Sequence, residues 1–127
     1  MKLGKRILFA LALFFAAISG PSPAFADEAE IKIQSNAEYK VHLKFFSKSY
    51  SRVWPAPPNV WVLDDYSTKT FSLACASGER ICYGAWEVGG TGYWGVGRNG
   101  TSGCAACCIT CGAGPYKTMV LDEADGD

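Results

Sequence analysis

Four cysteines fall within eight residues of this chain, in Cys104-Ala-Ala-Cys107-Cys108-Ile-Thr-Cys111, and two more, Cys75 and Cys82, lie upstream. Sulfur at this density could ligate a metal, exchange disulfides or cross-link the fold. On a helix, this spacing would place all four thiols along one stripe. That stripe would run about 10.5 Å along the axis, at about 1.5 Å per residue. A zinc ion needs its sulfurs at ~2.3 Å, so a regular helix cannot offer all four to one ion. A looped CxxCCxxC could, and Gly103, Gly112 and Gly114 permit one. Cys104-x-x-Cys107 and Cys108-x-x-Cys111 also have dithiol-oxidoreductase spacing. Such enzymes lower a thiolate pKa at a helix N-terminus after a βα unit. No βαβ pattern is visible, and no basic residue lies between Arg98 and Lys117.

The N-terminus shifts the balance toward disulfides. Lys2, Lys5 and Arg6 precede an apolar run of 12 residues, Ile7 to Ile18. Gly20, Pro21 and Pro23 follow, then Ala24-Phe25-Ala26. That order reads as a secretory signal helix over residues 1–26, cleaved after Ala26. Twelve apolar residues are too few to span a bilayer, which takes about 20. The expected location is secreted or periplasmic, with no membrane span after cleavage, and six cysteines there read as a disulfide framework. Six cysteines allow about 15 pairings. In one scheme Cys75 pairs with Cys82 across a hairpin and the cluster closes two bonds within itself. In the other, two cluster cysteines reach Cys75 and Cys82 and one pair closes locally. The second is preferred, because it fastens the glycine-rich segment to the sheet.

Other chemistry is sparse. His42 is the only histidine and shares the wet face of a strand with Lys40 and Lys44, which reads as solvated. A hydrolase built on it would lack a GxSxG elbow. Asp64-Asp65 could hold calcium, although no EF-hand spacing follows. Glu87 and Asp65 could form a glycosidase pair only if folding brought them together. Asn99-Gly100-Thr101 fits a glycosylation sequon. Aromatics are plentiful, and most serve a small core. Trp54 beside a proline loop, and Tyr93, Trp94 and Arg98 in a glycine-rich segment, form the candidate binding surface for a glycan or protein ligand. No cofactor is expected.

Charge excludes other partners. The leader carries 3 of the 12 basic residues and no acids, leaving 9 against 12, or −3. Four acids, Asp122, Glu123, Asp125 and Asp127, crowd the last six residues, so residues 27–121 hold 9 basic against 8 acidic side chains. Bulk charge draws in neither nucleic acid nor an anionic membrane.

The elements that position these residues read as strands. Residues 27–30 are a polar leader, and Ile31 and Ile33 alternate with Lys32 and Gln34. Tyr39, Val41, Leu43 and Phe45 alternate with Lys40, His42, Lys44 and Phe46, a period of two. Ser35 to Glu38 predicts a hairpin between these runs. Ser49 to Trp54 predicts a third strand, ended by Pro55 to Asn59. Val60 to Leu63 and Thr70 to Cys75 follow, separated by an Asp64 to Ser67 turn. Ile81 to Val88 is expected to return as partner of the latter across Ala76 to Glu79. Residues 89–103 hold seven glycines and read as a long compact loop or bent strands. Tyr116 to Leu121 closes the domain, and 122–127 read as a disordered acidic tail. Six or seven short strands predict an all-β domain over 27–121, a small antiparallel sandwich or barrel stabilised by disulfides.

Two segments carry a family likeness: Leu73-Ala-Cys-Ala-Ser-Gly-Glu-Arg-Ile-Cys-Tyr-Gly-Ala-Trp86, and Tyr93-Trp-Gly-Val-Gly97 with the cysteine cluster. With Val41-x-Leu-x-Phe-Phe-Ser47 and Val53-Trp-Pro55, the chain resembles a group of small exported bacterial proteins of unassigned function. The resemblance implies a periplasmic or secreted protein and supplies no catalytic residue. The reading that emerges is a non-enzymatic exported binding module. The alternative is an exported thiol–disulfide or metal-binding protein using the cysteine cluster.

Overall fold

The structure, a computed structural model, describes residues 27–122. The signal helix and acidic residues 123–127 lie outside the described residues. Nine strands follow in chain order: β1 Asp27–Ser35, β2 Val41–Ser47, β3 Val53–Trp54, β4 Trp61–Leu63, β5 Thr68–Cys75, β6 Arg80–Glu87, β7 Tyr93–Gly95, β8 Cys108–Thr110 and β9 Met119–Leu121. The described residues are all-β, as their period-two patterning predicts. No helix among them is long and apolar enough to cross a membrane.

The strands form a three-stranded sheet, ordered β5-β1-β9, and a six-stranded sheet built on β2 and β6. β3 and β4 share the free edge of β2, while β7 and β8 share that of β6. Pro55, Pro57 and Pro58 interrupt the first edge, since proline donates nothing to a ladder. The glycine-rich segment interrupts the second. Pairing is antiparallel except between β1 and β9, which run parallel over Ile33 to Ser35.

Both predicted hairpins are corners instead. β1 pairs with β5, and β2 pairs with β6, so the turn at residues 36–40 carries the chain from one sheet to the other. Asn36 N–H donates to Leu121 O at 2.8 Å, and Ala37 N–H donates to Ser35 Oγ at 3.2 Å. These bonds hold the departing chain against β9 rather than folding it back on β1. Ala76 to Glu79 likewise passes between sheets, and β5 and β6 do not pair. Two strands that each bury an apolar face can satisfy it across a sandwich as well as side by side. The polar leader is also corrected: Asp27 to Glu30 opens β1, with Ala29 buried and Glu28 and Glu30 facing water. The third strand is trimmed to Val53–Trp54.

Ile31, Ile33, Leu73 and Phe71 from one sheet meet Val41, Leu43, Phe45, Ile81 and Ala85 from the other. Phe45, Trp61 and Phe71 pack with ring centroids 4.8–5.7 Å apart. Each such buried side chain contributes about 1.5–3 kcal/mol. One buried charge sits at the rim. Glu79 is 1% exposed, accepts two hydrogen bonds from Arg52 at 2.8 and 3.2 Å, and accepts a third from Ala76 N–H. Arg52 also donates to Ala74 O and lies 4.5 Å over the Trp54 ring.

Candidate functional site

β6 is buried along both faces from Ile81 to Trp86. Ile81, Tyr83 and Ala85 turn toward the core. Cys82, Gly84 and Trp86 point outward, opposite Phe46, Lys44 and His42 of β2. The glycine-rich segment after β7 folds back over that outer face and covers it. A methyl group on Gly84 would collide with the Gly97 carbonyl and approach Phe46 Cε1 to 2.8 Å. Gly100, at φ +74°, lies against the Phe46 ring, where a methyl would sit 2.6 Å from Cδ2. Only glycine lets the backbone approach so closely at a positive φ. Lys48 fastens the segment, donating from Nζ to Gly100 O at 2.6 Å.

Two open hollows result, with Trp86, Arg98 and Asn99 common to both. One, of about 210 Å³, is walled by the loops at Gly90 to Tyr93 and Gly97 to Ser102. The other, of about 340 Å³, runs past Lys44, Phe46, Val53, Pro57 and Val60. The Arg98 guanidinium stands 5.6 Å over the Trp86 ring, and His42 meets the same ring edge-on at 5.8 Å. Lys40, His42 and Lys44 follow one another along this face. None of the ion pairs among the described residues involves Lys40, Lys44 or Arg98.

The sequence-derived surface is thus divided. Tyr93, half-buried, and Arg98, exposed, come together beside Trp86. Trp94 does not join them: it pairs with Ala85, is 2% exposed, and donates from Nε1 to Asp122 O at 2.8 Å. Alternation along β7 turns Tyr93 out and Trp94 in. Trp54 also faces away, since it pairs with Phe45 and packs against the core on the opposite side of the sheet. Trp86, which lines both hollows, and Lys44, which lines one, complete the surface. Their signal in the sequence is the polar register of β2, extended one strand over.

Electrostatics agree with the geometry. Burial, then Lys40, then Arg98 hold the His42 imidazole below its ordinary value. The histidine is half-buried rather than solvated. Replacing Arg98 with alanine is expected to raise the His42 pKa but leave it below its ordinary value, because burial and Lys40 remain. An NMR titration of this single histidine measures that. No rise would mean the guanidinium does not act on the ring.

The other candidates are spent locally. Asp65 accepts the Ser67 hydroxyl at 2.6 Å and the Ser67 N–H at 3.0 Å, and pairs with Lys69 at 3.3 Å. Those bonds, Ser67 first, bring its carboxyl down to about 2. A calcium ion at Asp64-Asp65 would have to displace them. Glu87 closes its own turn, accepting Gly92 N–H at 3.4 Å.

The six cysteines pair as Cys75–Cys111, Cys82–Cys108 and Cys104–Cys107. Two cluster cysteines reach the sheet and one pair closes locally. No described cysteine is free. Cys82, Cys107 and Cys108 bring their sulfurs within 4.8 Å of one another, near enough for one ion. In this oxidised state they are disulfide sulfurs rather than the thiolates a metal needs. Three disulfides fit an oxidising compartment outside the cytoplasm. Comparisons with protein-family models, curated proteins and solved structures return no match.

Proposed function

We propose that the chain is an exported, disulfide-stabilised binding module whose ligand is a negatively charged glycan, held on the outer face of the six-stranded sheet around Arg98. The observation that carries this reading is Arg98 beside Trp86 and Tyr93 in one hollow and beside Trp86 and Lys44 in the other, with Lys40 next to His42 on the same face. None of these three cations is taken up by an ion pair among the described residues, and Lys44 donates to the Asn59 carbonyl at 3.2 Å. An aromatic edge suits a sugar ring, and a guanidinium takes a carboxylate or sulfate bidentately. Asn99, Thr91, Thr101 and Ser102 add hydrogen-bonding groups at the rim. The opposite sheet carries Glu28, Glu30 and Lys32 on the outer face of β1, with Lys32 paired to Glu30 at 3.8 Å, so that strand offers no comparable group of unpaired cations. Export rests on the signal-like residues 1–26 together with three disulfides.

Calorimetric titration with a uronic-acid oligosaccharide, and with a neutral one of equal length, tests the reading. The acidic ligand is expected to bind more tightly, and added salt to weaken it. Arg98→Ala is expected to lower affinity about tenfold or more, an amount that corresponds to about 1.4 kcal/mol. Lys32→Ala, on the far sheet, serves as control. Equal binding of both sugars, or an Arg98→Ala variant indistinguishable from wild type, would sink the proposal.

A further inference from the structure

Two of the three disulfides are not independent. Cys107 Sγ lies 3.8 Å from Cys108 Sγ, and Cys82 Sγ lies within 4.8 Å of both. Cys104, Cys107, Cys108 and Cys82 therefore put two disulfide bonds side by side. The third, Cys75–Cys111, is excluded from this group. Its cysteines are 0% and 2% exposed, and Cys111 is fixed by backbone bonds to Gly78 and Glu79.

Access to the four sulfurs is graded. Cys104 is half-buried, and Ala105 and Ala106 beside it are exposed. Cys107 and Cys82 are 3% and 1% exposed. A groove of about 650 Å³, walled by Ala105, Ala106, Ile109, Tyr116, Lys117 and Met119 among others, opens onto the Cys104–Cys107 bond. Lys117 lies on the wall of the same groove.

We propose that Cys104–Cys107 and Cys82–Cys108 work as one thiol–disulfide exchange unit, entered at Cys104 by an external dithiol. In the first step a thiolate of the dithiol attacks Cys104 Sγ. The Cys104–Cys107 bond breaks, a mixed disulfide forms on Cys104, and Cys107 leaves as the thiolate. In the second, Cys107 attacks Cys82 Sγ. The Cys82–Cys108 bond breaks, Cys82–Cys107 forms, and Cys108 leaves as a thiolate toward the half-exposed side. Attack on Cys108 instead would close a small ring across one planar peptide bond, so Cys82 is the productive target. In the last step the second thiol of the dithiol attacks the mixed disulfide. The dithiol departs as a disulfide, oxidised by two electrons, and the protein retains Cys104 and Cys108 as two thiols with both protons. If Cys108 resolves the mixed disulfide first, the dithiol leaves unchanged and the chain carries Cys104–Cys108 and Cys82–Cys107. Sequence spacing offers Cys104-x-x-Cys107 and Cys108-x-x-Cys111 equally as reactive pairs. The geometry makes Cys104 and Cys108 the pair that opens.

Partial reduction of the folded wild-type protein with dithiothreitol, quenched by alkylation and mapped by mass spectrometry, tests this. The expected first product carries label on Cys104 and Cys108 and contains a Cys82–Cys107 cross-linked peptide, with Cys75–Cys111 intact. Label on Cys104 and Cys107, with Cys82–Cys108 retained, would overturn the relay. So would opening of Cys75–Cys111 first, or reduction only on unfolding. Cys104→Ser supplies a second reading without any reductant. Its freed Cys107 is expected to exchange with Cys82–Cys108 and divide the label between Cys107 and Cys108. Label confined to Cys107 would count against the proposal. A Cys104→Ser chain that fails to fold leaves the wild-type mapping to decide.

Discussion

Arg52→Ala is expected to destabilise the protein by about 3–5 kcal/mol, because it strands the Glu79 carboxylate inside the fold. Glu79 has a side chain 0% exposed and Arg52 one 24% exposed, so the pair is covered on the carboxylate side and the lost charge partner was its main compensation. The variant also loses the bond to Ala74 O and the stacking on Trp54. For a domain of this size, the loss corresponds to a melting temperature lower by more than ~10 °C. Removing both charges, as Arg52→Met with Glu79→Leu, is expected to restore part of the stability, since no buried charge is then left alone. A single substitution costing under about 1 kcal/mol would show that the pair is solvated in solution.

The same pair sets an acid limit. Burial alone would raise the Glu79 pKa. The hydrogen bonds from Arg52, Ser47 and the Ala76 N–H outweigh it and leave the carboxyl below its ordinary value. A depressed carboxylate contributes stability that is present at neutral pH and is lost as pH falls through the folded value. Thermal unfolding of wild type is therefore expected to drop steeply below the usual carboxylate range, and Glu79→Gln to flatten that drop. Parallel curves for the two proteins would remove Glu79 as the cause.

Replacing Cys75 and Cys111 together by serine is expected to cost about 4 kcal/mol in the chain-entropy account, for a bond spanning 36 residues. The local Cys104–Cys107 bond spans 3 and is worth about 2 kcal/mol on the same account. Cys111 N–H donates to Glu79 O, and Gly78 N–H donates to Cys111 O, so this disulfide and the Arg52–Glu79 pair brace one turn. Their losses should not add: Arg52→Ala in the serine background is expected to cost less than alone. Urea unfolding gives each value. An unchanged midpoint in the double-serine variant would mean that packing already holds the turn.

Strand existence was readable from period-two alternation because one face of each strand meets the core and the other meets water. Strand partnership was not. Ser35 to Glu38 and Ala76 to Glu79 have turn composition, and a corner between sheets asks for the same residues as a hairpin. The polar leader hid a strand because Glu28 and Glu30 share it with a single inward Ala29. Trp94 sits among glycines that suggest an open loop, yet alternation along β7 carries it inward beside an outward Tyr93. Arg52 and Glu79 stand 27 residues apart, and nothing local in either segment announces their contact.

The two corners also bear on how the chain acquires its shape. β2, β3 and β4 are neighbours in sequence, as are β6 and β7, so the edges of the six-stranded sheet can assemble from short-range encounters, while its central β2–β6 pairing spans as much chain as β1–β5. β1 has no such partner: it must wait for β5 and then for β9, the last of the described strands. Non-local pairing of this kind slows folding, because loop-closure entropy is lost before contacts compensate it. A chain emerging N-terminus first is therefore expected to hold its opening strand unpaired longest, and to seal the three-stranded sheet as its final step.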